Sequence, residues 1–167
     1  MLEFLALGAF SGLLIVAACS DVATMTIPNW VSVALALAFP IAALLLGMPL
    51  SSIGLHLGFG VAVLVIGFAL FQFGVLGGGD AKLIAAAAVW TGAAAFGPFA
   101  FWTTLAGGLM ALVLLIARWK LKPDTARAPY LNRLLKPKGG VPYGVAIMAG
   151  GLAALTALPL SQPLTLP

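Results

Sequence analysis

Charged residues are scarce in this chain, and their scarcity argues against a soluble globular domain. Only 7% of the 167 residues are Asp, Glu, Lys or Arg, whereas 63% are hydrophobic and the mean hydropathy is +1.18. Soluble domains carry about 25% charged residues, so this composition is typical of a chain that lies in a bilayer. The alternating polar and apolar strands of a transmembrane barrel are also missing. The sequence therefore predicts an all-α, polytopic integral membrane protein.

Cysteine is almost absent as well, which limits the cofactors that the chain could hold. The single cysteine, Cys19, excludes an internal disulfide and a cysteine-based zinc site. Cys19 stands in the stretch IVAACS, which loosely resembles a lipoprotein cleavage site. Signal peptides begin with positive charge, whereas this chain begins with Glu3 and no basic residue, so the first apolar run is expected to be retained. We predict no cofactor and no metal ion.

About six apolar runs have the length of transmembrane helices. A spanning helix needs roughly 20 mostly apolar residues, and such runs lie near 3–19, 30–47, 54–73, 83–97, 99–117 and 141–158. The fourth run is short, and only Gly97-Pro98 separates it from the fifth. Those two runs are therefore expected to form either a tight hairpin or a broken helix.

Basic residues are concentrated in one stretch, which predicts the orientation of the chain. Seven of the eight lie between Arg118 and Lys138, and the eighth is Lys82. Short loops rich in Lys and Arg stay in the cytoplasm, so the loop of about 118–140 is assigned to that side. A topology signal explains most of this run, and the alternatives are contact with a partner or with anionic lipid headgroups. The net charge of +4 therefore does not indicate nucleic-acid binding.

Acidic residues number only four, and two of them stand at the membrane boundary. Glu3 is near the N-terminus and Asp124 lies among basic residues, whereas Asp21 and Asp80 lie at the ends of apolar runs. Counting spans back from the basic loop places both at the cytoplasmic face. Carboxylates at this depth are costly and are functional candidates by default. The alternatives are a helix cap for Asp21 and an ordinary interfacial loop acid for Asp80.

A pair of carboxylates would suffice to hydrolyse a peptide bond without a metal. Two carboxylates about 3 Å apart cannot both ionise, so one keeps a proton. The ionised group takes a proton from a water that attacks the amide carbonyl, and its neighbour polarises that carbonyl and protonates the leaving nitrogen. The glycines 77–79 precede Asp80 and lack Cβ, so their backbone can take positive φ and let a substrate backbone approach closely. A simple turn at the end of the third span is the alternative.

Three motifs carry a family resemblance. GGGDAKL at 77–83 contains G-x-G-D, and DVATMTIPNW from Asp21 to Trp30 places an Asp six residues ahead of Ile-Pro-Asn. GGVPYGVAIMAGG, Gly139 to Gly151, opens the last apolar run with Pro-Tyr-Gly. In this order and on one face, they resemble the motifs of the type IV prepilin peptidases, which are G-x-G-D membrane aspartyl proteases.

The resemblance implies a single membrane-embedded peptidase domain over residues 1–167, with its active site at the cytoplasmic side of a bacterial inner membrane. Such an aspartic endopeptidase removes the leader of prepilin-like proteins after a glycine. By motif match, Asp21 and Asp80 would be the catalytic pair. The supporting positions would be Gly77, Gly78, Gly79, Lys82, Pro28, Asn29, Pro142, Tyr143 and Gly144. The implied partners are a prepilin or pseudopilin substrate, the lipid bilayer and a pilus assembly or secretion system, with no nucleic acid.

The chain departs from the long, bifunctional members of that family. Those members carry a cytoplasmic insert after the first span, often with paired CxxC zinc motifs, and also N-methylate the product. Here Asp21 follows the first span directly, so we expect no zinc domain and no methyltransferase activity. The compact form looks like the peptidases of Flp-type (tight-adherence) pili. A non-catalytic component of a pilus or secretion assembly and a small ion- or proton-coupled transporter are the alternatives.

Overall fold

The structure, a computed structural model, describes residues 1–121, 129–136 and 139–161, and these ranges contain helices and no strand. Predicted basic-loop residues Lys122, Arg127 and Lys138, and also Asp124, lie outside the described residues. The elements in chain order are α1 (Leu2–Thr24), α2 (Asn29–Leu45), α3 (Leu50–Gln72), α4 (Gly78–Lys120), α5 (Pro129–Leu134) and α6 (Tyr143–Ala153), followed by short 3₁₀ turns at Leu155–Ala157 and Pro159–Ser161. The predicted all-α membrane fold is confirmed.

Three of the described helices, α1, α3 and α4, are long and apolar enough to cross a membrane. The apolar helices α2 and α6 are shorter. Large apolar side chains remain exposed along the outer faces of α1 to α4, as expected of surfaces that contact lipid tails rather than water.

Helix α4 consists of two helices that meet at Gly92. Gly92 has φ 58° and ψ −174°, a backbone conformation that is essentially restricted to glycine. Of the two predicted alternatives, the structure has the broken helix, but the break lies at Gly92 and not at Gly97-Pro98, because both of those residues lie inside the second helix, residues 93–120. The first helix, residues 78–91, is stabilised near its end by His56, whose Nδ1 is hydrogen-bonded to the carbonyl oxygen of Val89 at 2.8 Å. Carbonyls in the last turn of a helix need such external partners.

We expect Gly92→Ala to destabilise the fold by about 2 kcal/mol or more. Alanine is strained at this φ and ψ, and its Cβ would lie 2.5 Å from the His56 ring. Thermal unfolding in detergent would measure the loss. Gly97→Ala is the matched control, because no atom lies within 4 Å of its added Cβ. Equal stability of the two variants would contradict the assignment of the break to Gly92.

The centre of the bundle is built around Trp90. Its indole N–H donates to the carbonyl oxygen of Leu35 in α2 at 2.7 Å, and its ring packs on Phe10 of α1 and Phe39 of α2, with centroids 5.2 and 5.7 Å away. The Trp90 side chain is buried and serves packing. This cluster ties α1, α2 and α4 together at one level of the bundle.

The Trp90 cluster also fixes the height of the two boundary carboxylates. Asp21 follows Phe10 along α1, and Asp80 precedes Trp90 along α4, by ten or eleven residues in each case. At 1.5 Å per helical residue, each carboxylate lies about 15 Å from the cluster along its helix. Since Asp80 also interacts electrostatically with Asp21, both lie at the same end of the bundle.

Candidate active site

Asp21 is buried in the last turn of α1 and is held by the start of α6. Its side chain is 6% exposed, and its Oδ2 accepts a hydrogen bond of 2.7 Å from the backbone N–H of Gly144. Gly144 is the second residue of α6, where backbone N–H groups have no partner within the helix. A helix N-terminus also favours a nearby negative charge. The bond therefore joins the end of the first helix to the beginning of the last one.

Asp80 occupies the first turn of α4. Gly77 is the N-cap residue of this helix, and the Asp80 carboxylate accepts a hydrogen bond from the Gly77 backbone. This bond is one of the two hydrogen bonds of a capping box, the one in which the side chain of the third helical residue accepts from the backbone N–H of the N-cap residue. Asp80 is half-buried, more open than Asp21.

The two carboxylates interact electrostatically with each other. Each one accepts a backbone N–H at the N-terminus of a helix, Asp21 from α6 and Asp80 from its own helix α4. The structure therefore brings together the two acids that the sequence singled out. A pair of this kind has the groups that general acid–base chemistry needs, since one member can hold the proton that the other lacks.

The three glycines before Asp80 do not take the positive φ that glycine allows. Among the described residues, glycines with positive φ are Gly47, Gly74 and Gly92. Small residues are favoured here because neighbouring side chains approach the backbone closely. An added Cβ at Gly77 would lie 2.6 Å from Asp80 Oδ2, and one at Gly79 would lie 3.3 Å from Ile27. At Gly78 the added Cβ would lie 3.3 Å from the Phe71 ring. The neighbours are thus side chains of the chain itself, which the sequence could not indicate.

Supporting positions on the other side of the site connect α2 with α4. Pro28 is the N-cap residue of α2 with φ −62°, and the next residue, Asn29, accepts a hydrogen bond from Lys82 Nζ through its Oδ1 at 2.9 Å. Both partners of this bond are exposed. The bond links the first residue of α2 to the fifth residue of α4, and Lys82 lies two residues after Asp80.

Tyr143 and Pro142 come from the start of α6. Pro142 is buried at the N-cap, and Tyr143 is half-buried and interacts electrostatically with Asp80. The Tyr143 ring lies against Gly107 of α4, where an added Cβ would be 2.5 Å from the ring. Consecutive residues of α6 therefore reach both acids: Tyr143 interacts with Asp80, and Gly144 binds Asp21.

A largely apolar cleft of about 530 Å³ opens beside Asp80. Asp80, Tyr143 and Thr103 line it together with apolar side chains of α3 and of both halves of α4, whereas Asp21 does not line it. Sequence reasoning missed Thr103, which is 3% exposed and whose hydroxyl has no hydrogen-bond partner among the described residues. The sequence feature that could have identified Thr103 was a pair of adjacent threonines, Thr103 and Thr104, in an otherwise apolar run.

No group of three or more His, Cys, Asp or Glu side chains that could hold a metal ion occurs in the described part of the chain. Cys19 is a free, exposed cysteine.

Comparison with known proteins gives one match. The model of the type IV leader peptidase family matches residues 8–115, which is more than half of the chain and includes Asp21 and Asp80. The Pro142-Tyr143-Gly144 segment lies outside the matched residues. Searches of curated proteins and of solved structures found no match.

Proposed function

Because the chain belongs to the type IV leader peptidase family, we propose that it is an aspartic endopeptidase that removes the leader of prepilin-like proteins. Asp21 and Asp80 are its catalytic pair. One observation carries the proposal: the only two acids at this end of the described bundle interact electrostatically, and one of them lines a cleft. Peptide hydrolysis by two carboxylates requires this arrangement.

The proposed reaction divides the work between the two acids. Asp80 faces the cleft, and Asp21 completes the pair from the buried side. The ionised carboxylate takes a proton from a water as this water attacks the scissile carbonyl carbon. The protonated carboxyl donates a hydrogen bond to the carbonyl oxygen and then gives its proton to the leaving nitrogen as the C–N bond breaks. Water and peptide are consumed, and two shorter chains are released.

The substrate class follows from the surroundings of Asp80. Apolar side chains form most of the cleft wall, and such a wall suits an apolar segment that follows a cleavage junction. A prepilin-like precursor has this design, with a short charged leader ahead of an apolar helix. We propose that the helix lies in the bilayer and that the junction enters the cleft beside Asp80.

The short connection between α1 and α2 and the basic stretch support a more specific proposal for the activity and the location of the chain. The segment between α1 and α2 comprises only residues 25–28, which is too short for the insert of the bifunctional members. We therefore propose leader cleavage without N-methylation, in the service of a Flp-type pilus or a related secretion system. The basic stretch favours a cytoplasmic active site in a bacterial inner membrane, with residues 1–167 as one peptidase domain.

A cleavage assay tests the proposed function. The chain would be co-expressed with a small pilin precursor from the same genome, in a host without its own prepilin peptidase. We expect a shortened pilin whose new N-terminus, identified by mass spectrometry, begins directly after a glycine. A precursor in which that glycine is replaced by a bulky residue serves as the control and should stay intact. An uncut precursor beside well-folded enzyme would contradict the proposal.

A further inference from the structure

The basic stretch contains two arginines whose contacts go beyond a topology signal. Arg118, in the last turn of α4, donates from Nε to the carbonyl oxygen of Leu134 at 2.8 Å and from Nη2 to that of Gly140 at 2.7 Å. Arg133, in the last turn of α5, donates from Nη1 to the carbonyl oxygen of Ala23 at 2.9 Å. All three acceptors are backbone groups, so the contacts fix the course of the chain.

These contacts bracket the hydrogen bond that holds Asp21. Gly140 lies four residues before Gly144, the donor of that bond, and Ala23 lies two residues after Asp21, its acceptor. Arg118 therefore restrains the segment that enters α6, and Arg133 restrains the end of α1. The short α5 connects the two arginines, because it carries Arg133 and offers the Leu134 carbonyl to Arg118.

Local packing indicates that the Arg118 contacts are tight. A Cβ added at Gly139 would lie 3.2 Å from Arg118 Nη2 and 2.9 Å from the carbonyl oxygen of Arg133. Leu134 and Ala23 belong to the last turns of α5 and α1, where carbonyls lack partners within the helix. Cations are also favoured at these helix ends. Guanidinium groups thus bind two carbonyls that lack partners within their own helices.

We infer that Arg118 and Arg133 are positioning residues of the proposed peptidase. They hold the Gly144 amide against the Asp21 carboxylate by fixing the backbone on both sides of that bond. Neither arginine touches the reacting atoms. The inference rests on the proposed function and adds to it, because it gives part of the basic stretch a role in the geometry of the site.

Replacement of Arg118 by lysine distinguishes a positioning role of the guanidinium group from a role of its positive charge alone. Arg118→Lys keeps the positive charge, and with it the topology signal, but a single ammonium group cannot reproduce the planar fork that reaches two carbonyls. Arg118→Gln removes both the charge and the fork. Lys120→Gln, two residues further along, removes one charge from the same stretch and serves as the control.

For both Arg118 variants, we expect kcat for precursor cleavage to fall about tenfold while KM stays within about twofold of the wild-type value, because a displaced catalytic group lowers turnover without loosening substrate binding. Lys120→Gln should cleave like the wild type. Full turnover in Arg118→Lys would overturn the inference, since charge alone would then suffice. A rise in KM at constant kcat would overturn it too, because it would indicate substrate contact.

Hydrogen exchange tests the same inference without any substrate. We expect the amides of residues 139–146 to exchange faster in Arg118→Gln and Arg118→Lys than in the wild type and in Lys120→Gln. Unchanged exchange in both Arg118 variants would overturn the inference. Failure of the wild type to cleave would instead count against the proposed function, and exchange would still decide whether Arg118 holds the segment.

Discussion

Asp21→Asn and Asp80→Asn are each expected to lower precursor cleavage by about 10³-fold or more, which in a co-expression assay is complete loss. Asparagine has nearly the shape of aspartate but cannot take a proton from water or pass one to a leaving nitrogen, and such transfers contribute about 10²–10⁴-fold each. Both acids are needed because one alone cannot act as base and acid in the same attack.

The Asn variants should retain the fold. An Asn oxygen can still accept the hydrogen bonds that the carboxylates accept from Gly144 and Gly77, so thermal unfolding in detergent should stay close to that of the wild type. Glu3→Gln, which removes a carboxylate at the opposite end of α1, is the control and should cleave normally. Processing that survives in both Asn variants would remove the aspartates from the chemistry and favour a non-catalytic component of a pilus assembly.

Gly144→Ala and Gly77→Ala are expected to have the second-largest effect, a loss of turnover of about 10²-fold. The added Cβ would lie 3.0 Å from Asp21 Oδ2 at position 144 and 2.6 Å from Asp80 Oδ2 at position 77. Each methyl group must therefore push a carboxylate away from the amide that holds it. Misplacement of a catalytic group by about 1 Å costs on the order of 10²-fold.

Gly108→Ala is the control for the two glycine variants. Gly108 lies in α4, and no atom is found within 4 Å of its added Cβ. Gly108→Ala adds the same methyl group without displacing a carboxylate, and in the middle of a helix alanine is favoured over glycine by about 0.5–1 kcal/mol. Steady-state cleavage and thermal unfolding should be measured together. Wild-type turnover in Gly144→Ala would show that the Asp21–Gly144 contact does not matter for catalysis.

Hydropathy was sufficient to predict the fold class but not the break in α4. Six apolar runs were enough for an all-α membrane protein, because length and composition determine which segments can cross a bilayer. The break lies at Gly92, and His56 of α3 is hydrogen-bonded to the Val89 carbonyl oxygen near the end of the helix before it. Gly97 and Pro98 gave the stronger local signal for a helix break. The local sequence does not reveal a hydrogen-bond partner that lies on another helix.

The candidate site was partly predictable for a similar reason. Acids are so rare in the chain that Asp21 and Asp80 stood out, and span counting placed them at one face. The partner of Asp21 comes from a distant position, because the Gly144 amide is 123 residues away in sequence. Glycine at 77–79 does not take the positive φ that it allows, and close packing of Ile27, Phe71 and Asp80 favours small residues there instead. Those neighbours become apparent only when the helices are assembled.

The break at Gly92 also has a consequence for the surrounding lipid. The helix 78–91 rises about 21 Å, and α2, with 17 residues, rises about 25 Å, whereas the hydrocarbon core is about 30 Å thick. Such hydrophobic mismatch is accommodated when the bilayer thins around the short elements. A thinned annulus would let lipid headgroups and water come closer to the level of Asp80 than they do in an undisturbed bilayer. Acyl-chain length thereby becomes a variable of this protein's environment, with shorter chains matching the height of these two short helices more closely.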